Sequence, residues 1–420
     1  MGSAVIDTVF EHADVLDVVA GELLPDRHVS IRDGVIVGIS TEPVTETCTT
    51  RIDATGRTLM PGLCDAHVHV YAASPDFAVL DRWAKSYLTA RATEIMRDML
   101  FRGFTTVRDT GGADHGLAKA VEETLFLGPR LLFCGQALTQ TGGHGDMRLP
   151  GETHCPGCGG LDIVCDGVPE VRRACREQIR KGATHLKLMV SGGVSSPTDR
   201  ISSTQFAMEE LIAAVEEAEA AEIYCTGHAY TSKSIQRAVT AGFRSIEHGN
   251  LMDEETAAMM AEHGTFLIPT LVTYEALATE GVAAGLPASM RSKVDVVLDA
   301  GLTALARAEA AGVQIAYGTD LLGTMHRHQL KEFAIRAKVQ KPIDIIRSAT
   351  VTAAKLFKME GQIGVVATDA RADLLLVDGN PLNDLGVLQD PERYLKVIMR
   401  DGEIVRSAAN EKCGSPTPYR

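Results

Sequence analysis

Met60-Pro61-Gly62-Leu63-Cys64-Asp65-Ala66-His67-Val68-His69 reads as a turn feeding a short strand. Pro61 and Gly62 punctuate the chain, and the apolar residues that follow alternate with Asp65, His67 and His69, which therefore share one strand face. Two imidazoles on one face of one strand can reach a single metal ion. Two hydrogen-bonded surface histidines would read the same way, so the decision rests on whether further ligands follow downstream.

The chain beyond this strand alternates short apolar runs with helical stretches. Strands are predicted at Phe104–Thr110, Arg130–Gln136, His185–Ser191, Ile223–His228, Ser245–His248, Phe266–Leu271 and Ile315–Asp320. Helices are predicted at Asp81–Phe101, Leu117–Leu127, Val171–Lys181, Met208–Ala221, Lys233–Ala241, Glu254–His263 and Ala288–Ala311. Such alternation implies right-handed crossovers and a parallel sheet, and the count matches a (β/α)8 TIM barrel, an α/β fold whose chemistry sits at the C-terminal strand ends. A doubly wound open sheet fits less well, because no Gly-rich phosphate loop follows the first strand.

Outside this body the pattern is β-rich. Arg32-Asp33-Gly34 and Arg400-Asp401-Gly402 each join two alternating runs, a strong hairpin signal. The two chain ends, 1–59 and 365–420, are therefore expected to form one small β-sandwich, with the barrel at 60–364 inserted between them.

Composition narrows the function classes. A net charge of −14 without any basic run argues against a nucleic-acid surface. Acidic residues Asp7, Glu11, Asp14 and Asp17 leave no signal-peptide pattern in the first twenty positions, and no segment is apolar for long enough to span a bilayer, so a cytoplasmic protein with no membrane partner is expected. Nine scattered cysteines fit reduced thiols. Only Cys155 and Cys158 have metal-like spacing, and without a second pair two loop thiols are the simpler reading.

Four further residues stand where barrel logic puts a site. Lys187 lies inside the apolar run Leu186–Val190, where a bare ammonium is costly; it must pair with an acid such as Asp65 or Asp109, or lose its charge. A neutral amine can take up carbon dioxide, giving a carbamate whose two oxygens could bridge two metals. His228 and His248 end their runs, and Asp320 closes Ala316-Tyr317-Gly318-Thr319-Asp320; singly these are satisfied core histidines and a helix cap. Together with His67 and His69 they supply a nitrogen and oxygen set suited to zinc.

In these motifs, in this order, the sequence resembles the amidohydrolase superfamily of metal-dependent hydrolases. The resemblance implies two Zn2+ ions, with His67, His69 and Asp320 on one, His228 and His248 on the other, and carboxylated Lys187 between them. Asp65 is not a ligand in that pattern and is expected as a buried structural carboxylate. Thr141-Gly142-Gly143-His144-Gly145-Asp146, Lys187–Gly193, Gly227-His228-Ala229-Tyr230-Thr231 and Gly318–Gly323 are similar to a branch of imidodipeptidases, carboxypeptidases and ochratoxin-hydrolysing amidohydrolases. Members of that branch assemble as large homo-oligomers, such as octamers.

The implied activity is hydrolysis of the C-terminal amide of a small N-acyl amino acid or dipeptide. Two metals about 3.5–4 Å apart can share one water, lower its pKa and polarise the carbonyl it attacks. Asp320 is expected to take the proton from that water and hand it to the departing amine. His144 and Tyr230 are neutral donors expected to hold substrate near the metals. The Gly-rich segment from Thr139 to Gly167 is too long for an ordinary connection and is a candidate lid. Arg148, Arg200 and His326 are candidate partners for a substrate carboxylate. A one-metal deaminase on the same scaffold has no need of Lys187, and a non-enzymatic assembly paralogue has no need of the full ligand set.

Overall fold

The structure, a computed structural model, describes residues 5–80, 82–149, 151–152, 160–196 and 198–408. These divide into two compact units, one from the described parts of 1–64, 99–105 and 341–420, the other from 65–98 and 106–340.

In the first unit both chain ends enter one eight-stranded sheet. Ile6–Asp17 pairs antiparallel with Glu22–Arg32 and parallel with Cys48–Asp53 and Thr58–Pro61. Thr58–Pro61 then pairs antiparallel with Leu374–Val377, setting Leu59 opposite Leu376. Leu395–Arg400 and Glu403–Ser407 complete the sheet. Both Asp-Gly signals make tight turns between antiparallel strands, with left-handed backbone at Asp33 and Gly34 (φ 50° and 76°) and at Asp401 and Gly402 (φ 49° and 81°). Alternating Leu374 and Leu376, Val397 and Met399 are buried together with Phe10, Val29 and Ile31, which explains why the sheet includes strands from both ends.

The second unit is α/β and TIM-barrel-like. Asp162–Val164, Ala137–Thr139, Leu186–Met189, Cys225–Thr231, Ser245–Leu251 and Phe266–Ile268 form a six-stranded parallel sheet in that order. Leu63–Val68 and Phe104–Asp109, which belong to this unit from 65 and 106 onward, form a three-stranded one with Arg130–Phe133. Gly167–Arg180, Met208–Ala220, Ser232–Ala241, Glu254–Glu262 and Arg291–Ala311 are helices interleaved with these strands. Leu186, Leu188 and Val190 are buried in one apolar core with helix residues Leu211, Ile235 and Val297, as expected for strands covered on both faces.

Three of the predicted strands depart from the structure for a backbone reason. Arg130–Gln136 stops at Phe133, since left-handed Gly135 (φ 73°) turns the chain into a separate strand, Ala137–Thr139. Phe266–Leu271 ends at Ile268, because Thr270 (φ 47°) starts the helix Leu271–Ala276. Ile315–Asp320 is not a regular strand: only a parallel bridge joins Ile315 to Leu267, and the run ends at left-handed Asp320 (φ 51°). Its backbone is still bonded on two sides, Ala316 N–H donating to Leu267 O at 2.9 Å and Ala66 N–H to Tyr317 O at 2.7 Å. Among the described residues no helix is long and apolar enough to cross a membrane. The Cys155 and Cys158 pair lies outside the described residues.

Candidate metal centre

The six expected metal ligands, His67, His69, Lys187, His228, His248 and Asp320, and the two expected substrate donors, His144 and Tyr230, line one cleft of the α/β unit. Asp320 Oδ1 is 3.3 Å from His67 Nε2 and 3.3 Å from His69 Nε2. His67, His248 and Asp320 each offer a ligand atom within 4.8 Å of the others. The rings of His228 and His248 are 4.6 Å apart, and those of His67 and His248 5.1 Å.

Hydrogen bonds fix which nitrogen of each imidazole is left for a metal. His67 Nδ1 is 2.6 Å from Glu247 Oε2, His69 Nδ1–H donates to Gly111 O at 3.1 Å, and His248 Nδ1 bonds Thr270 Oγ1 at 2.7 Å. These three keep Nε2 for the cleft. His228 Nε2 is instead 3.4 Å from Gly192 O, which leaves Nδ1. Such partners set the tautomer and aim of ligating histidines.

The backbone is bent to deliver these groups. His248, Thr270 and Asp320 all have left-handed φ (78°, 47° and 51°), a conformation that costs a non-glycine residue about 1–3 kcal/mol and clusters at functional sites. At His248 it breaks the strand's alternation, so Glu247 reaches His67 while neighbouring His248 also faces the cleft. Gly318 lets the Asp320 segment approach the first strand, since a Cβ there would come within 2.2 Å of Ile268 Cγ2 and 3.0 Å of His67 Cβ.

Electrostatics favour metal-binding protonation states. Burial pushes the His228 and His248 imidazoles well below the usual histidine range, so they are neutral donors. Burial would raise the Asp320 carboxyl, but His67 and His69 beside it hold it well below the carboxylate range. Lys187 is 1% exposed and its amine has no ion-pair or hydrogen-bond partner among the described residues. Burial lowers its pKa, against the pull of Glu247 and Asp320. Neither proposed acid neutralises it. Asp65 accepts from Thr319 Oγ1 at 2.6 Å and Gln329 Nε2 at 2.9 Å, a buried structural carboxylate, and Asp109 accepts backbone N–H groups of Val70, Gly111 and Ala113. A buried, unpartnered amine facing a cleft of metal donors fits a carbamate bridge, and the donor set fits divalent metal.

His144 stacks on His228 at 4.3 Å, and its Nδ1 is 3.5 Å from Asp199 Oδ2. Gly193 makes room for it, since a Cβ there would lie 2.2 Å from His144 Cε1. Tyr230 stacks on His248 at 5.1 Å and shares a hydroxyl hydrogen bond of 2.9 Å with Tyr274. The segment 139–167 contributes His144, Gly145, Met147, Leu161 and Asp162 to the cleft lining; 150 and 153–159 lie outside the described residues. Arg148, Arg200 and His326 are not among the cleft-lining residues. Arg148 is ion-paired with Asp146 (Nε–Oδ1 2.7 Å), Arg200 is exposed, and His326 is buried with Nε2 3.4 Å from Ala72 O.

Sequence reasoning missed the groups behind the ligands. Glu247 is fully buried and bonded to Arg108 Nη2 at 2.7 Å as well as to His67 and Thr226. Burial alone would raise its carboxyl; Arg108 and His67 hold it well below the usual range. Arg108 sits in the buried strand Phe104–Asp109, whose Thr105, Thr106 and Asp109 mask the burial that an apolar run reveals at Lys187. Asp162 was also missed: it lines the cleft with Oδ1 unpartnered among the described residues, and burial pushes its carboxyl up to about 7.

A family model described as the amidohydrolase family matches residues 58–405. The ochratoxinase of Aspergillus niger is 34% identical over 363 residues, covering 81% of this chain and 74% of that protein. A crystal structure of a prolidase complexed with N-methylphosphonate-L-proline superposes with a TM-score of 0.93 at 46% identity, covering 95% of this chain and 99% of that one. A Xaa-Pro dipeptidase with methionine bound in its active site gives a TM-score of 0.83 at 28% identity, over 95% of this chain and 100% of that one.

Proposed function

The chain belongs to the amidohydrolase family, hydrolases acting on C–N bonds, and from that premise we propose that it is a binuclear zinc enzyme cleaving the C-terminal amide of small N-acyl amino acids or dipeptides. The observation that carries this reading is the convergence of six candidate ligands on one cleft, with Asp320 Oδ1 3.3 Å from both first-strand histidines and the amine of Lys187 unpartnered. His67, His69 and Asp320 would hold one ion, His228 and His248 the other, with Lys187 between them as its carbamate. When bound, the ions supply Lewis-acid polarisation of the amide carbonyl and a water acidic enough to attack it near neutral pH.

The chain's own residues do the rest. Asp320 accepts the proton of the attacking water and passes it to the amine nitrogen, without which an amide is a poor leaving group. Tyr230 donates its hydroxyl to the oxygen on which charge develops; Tyr274 holds that hydroxyl in place. His144, with Asp199 behind its Nδ1, donates to the substrate carboxylate. Phe77, Met147, Leu161, Val194, Leu277 and Leu322 give the cleft apolar walls, which suits a proline or aromatic product, in keeping with relatives named prolidase and ochratoxinase. A mononuclear deaminase would leave the buried amine of Lys187 without a role.

The reading includes a closed (β/α)8 barrel and a β-sandwich at the chain ends. The barrel is supported by the hydrogen bonding of segment 314–317 to Leu267 on one side and Ala66 on the other, and of Thr184 N–H to Phe133 O at 2.8 Å; the sandwich is supported by the entry of strands from 6–61 and 374–407 into one sheet. It also includes a homo-oligomer, as in the peptidase branch the sequence resembles.

The test is a screen of the zinc-loaded protein against N-acyl amino acids and Xaa-Pro dipeptides, each beside its C-terminal amide. Hydrolysis of the acids with the amides much slower is the expected result. Equal rates would remove the carboxylate requirement, and no cleavage of any amide would remove the reading.

A further inference from the structure

The hairpin Ile6–Asp17 and Glu22–Arg32 carries two bulges whose side chains converge. Phe10 pairs with Val29 and Ala13 with Arg27, so Glu11 and His12 together oppose His28; Ala13 pairs with Arg27 and Val15 with Leu24, so Asp14 opposes both Pro25 and Asp26. At the bulges His12 (φ 57°) and Asp26 (φ 53°) adopt left-handed backbone. Bulges re-aim side chains, and this conformation persists in a non-glycine residue only where the surroundings hold it.

These re-aimed groups meet a buried histidine. His12 Nδ1 is 2.8 Å from Asp26 Oδ1, and the His12 and His28 rings are 4.7 Å apart. One ligand atom from each of His12, Asp26 and His28 lies within 4.8 Å of the others. His28 is 2% exposed, and its Nδ1 has no hydrogen-bond partner among the described residues. A buried ring nitrogen left without a partner loses the full hydration of that group, which argues that something else satisfies it.

We propose that His12, Asp26 and His28 form a separate divalent-cation site, taking Zn2+ through two imidazoles and one carboxylate, with water completing the shell. Ligands on a tetrahedral zinc, each about 2.0–2.1 Å from it, stand roughly 3.3–3.4 Å apart, so His12 and Asp26 need separate by only about half an ångström. The ion joins the two strands where the bulges interrupt their ladder, and it clamps the hairpin. His12 and Asp26 are well exposed, so the site is reached from solvent without unfolding. The inference does not depend on the reading of the cleft.

The test is equilibrium dialysis of the intact enzyme against Zn2+, with wild type beside His12→Asn and Asp26→Asn, since asparagine tolerates the left-handed backbone. Each variant is expected to bind one equivalent less than wild type with amide hydrolysis unchanged. Added Zn2+ is expected to slow hydrogen exchange of the hairpin amides around His12 and His28 in wild type alone. Equal zinc equivalents in all three proteins, or the same zinc-dependent protection in the variants, would overturn the site.

Discussion

Glu247 Oε2 lies 2.6 Å from His67 Nδ1, and both side chains are excluded from solvent. The other oxygen of the same carboxylate is 2.7 Å from Arg108 Nη2, so one residue aims a candidate ligand and neutralises a buried guanidinium. Glu247→Gln keeps the shape and removes the charge. Breaking a buried pair in this way costs about 3–5 kcal/mol, and loss of a ligand-orienting partner costs roughly 10–100-fold in metal affinity. Denaturant midpoints and competition with a chelator read the two effects; a variant unchanged in both would contradict the assignment.

Asp320 and Tyr230 are assigned separable roles. Asp320→Asn is expected to lower kcat by about 10²–10⁴-fold as the proton carrier is lost. Tyr230→Phe is expected to lower it by up to about 10²–10³-fold through the lost donor, with metal content unchanged. Tyr274→Phe, which only frees the Tyr230 hydroxyl, is expected to fall between wild type and Tyr230→Phe. Steady-state kinetics decide, and a fully active Asp320→Asn would remove the proton-shuttle role.

Lys187→Ala removes the group proposed to carry the carbamate. Activity and metal retention are expected to fall together and to recover in part on adding a short carboxylate such as acetate or propionate, which can occupy the space left. A lysine that served only packing would give no rescue.

A pH dependence of stability follows from Glu332, fully buried, with Oε2 accepting Val272 N–H at 2.7 Å and Oε1 unpartnered among the described residues. Burial pushes its carboxyl up to about 7, against the pull of Arg336. The folded chain therefore binds this proton more tightly than the unfolded chain, whose glutamate titrates near 4.5. The stabilisation is present below that value and is lost as pH rises through about 7, on the order of 3 kcal/mol at most. Relative to wild type, Glu332→Gln should thus gain stability between pH 5 and pH 8. An unfolding-midpoint difference equal at both pH values would refute this.

Much of this organisation was legible in the sequence because it rests on local signals. The Asp-Gly turns, the alternating terminal strands and the strand-end histidines each follow from residue type and spacing. Lys187 stood out because a lysine in an apolar run needs an explanation. What was not legible depends on backbone that only tertiary contacts fix. The left-handed turns at Gly135 and Thr270 cut two predicted strands short, and that at His248 lets Glu247 and His248 serve the same cleft. Arg148 was a reasonable candidate for substrate, but pairing with Asp146, two residues away, engages it.

Six side chains are proposed to hold two ions in one cage. Anomalous scattering at the zinc edge from crystals of the active enzyme tests it most directly. Two peaks are expected in the cleft, one beside His67, His69 and Asp320 and one beside His228 and His248, with added density on the Lys187 amine between them. A fully active crystal with a single peak there, or with an unmodified Lys187 turned away from both, would contradict it.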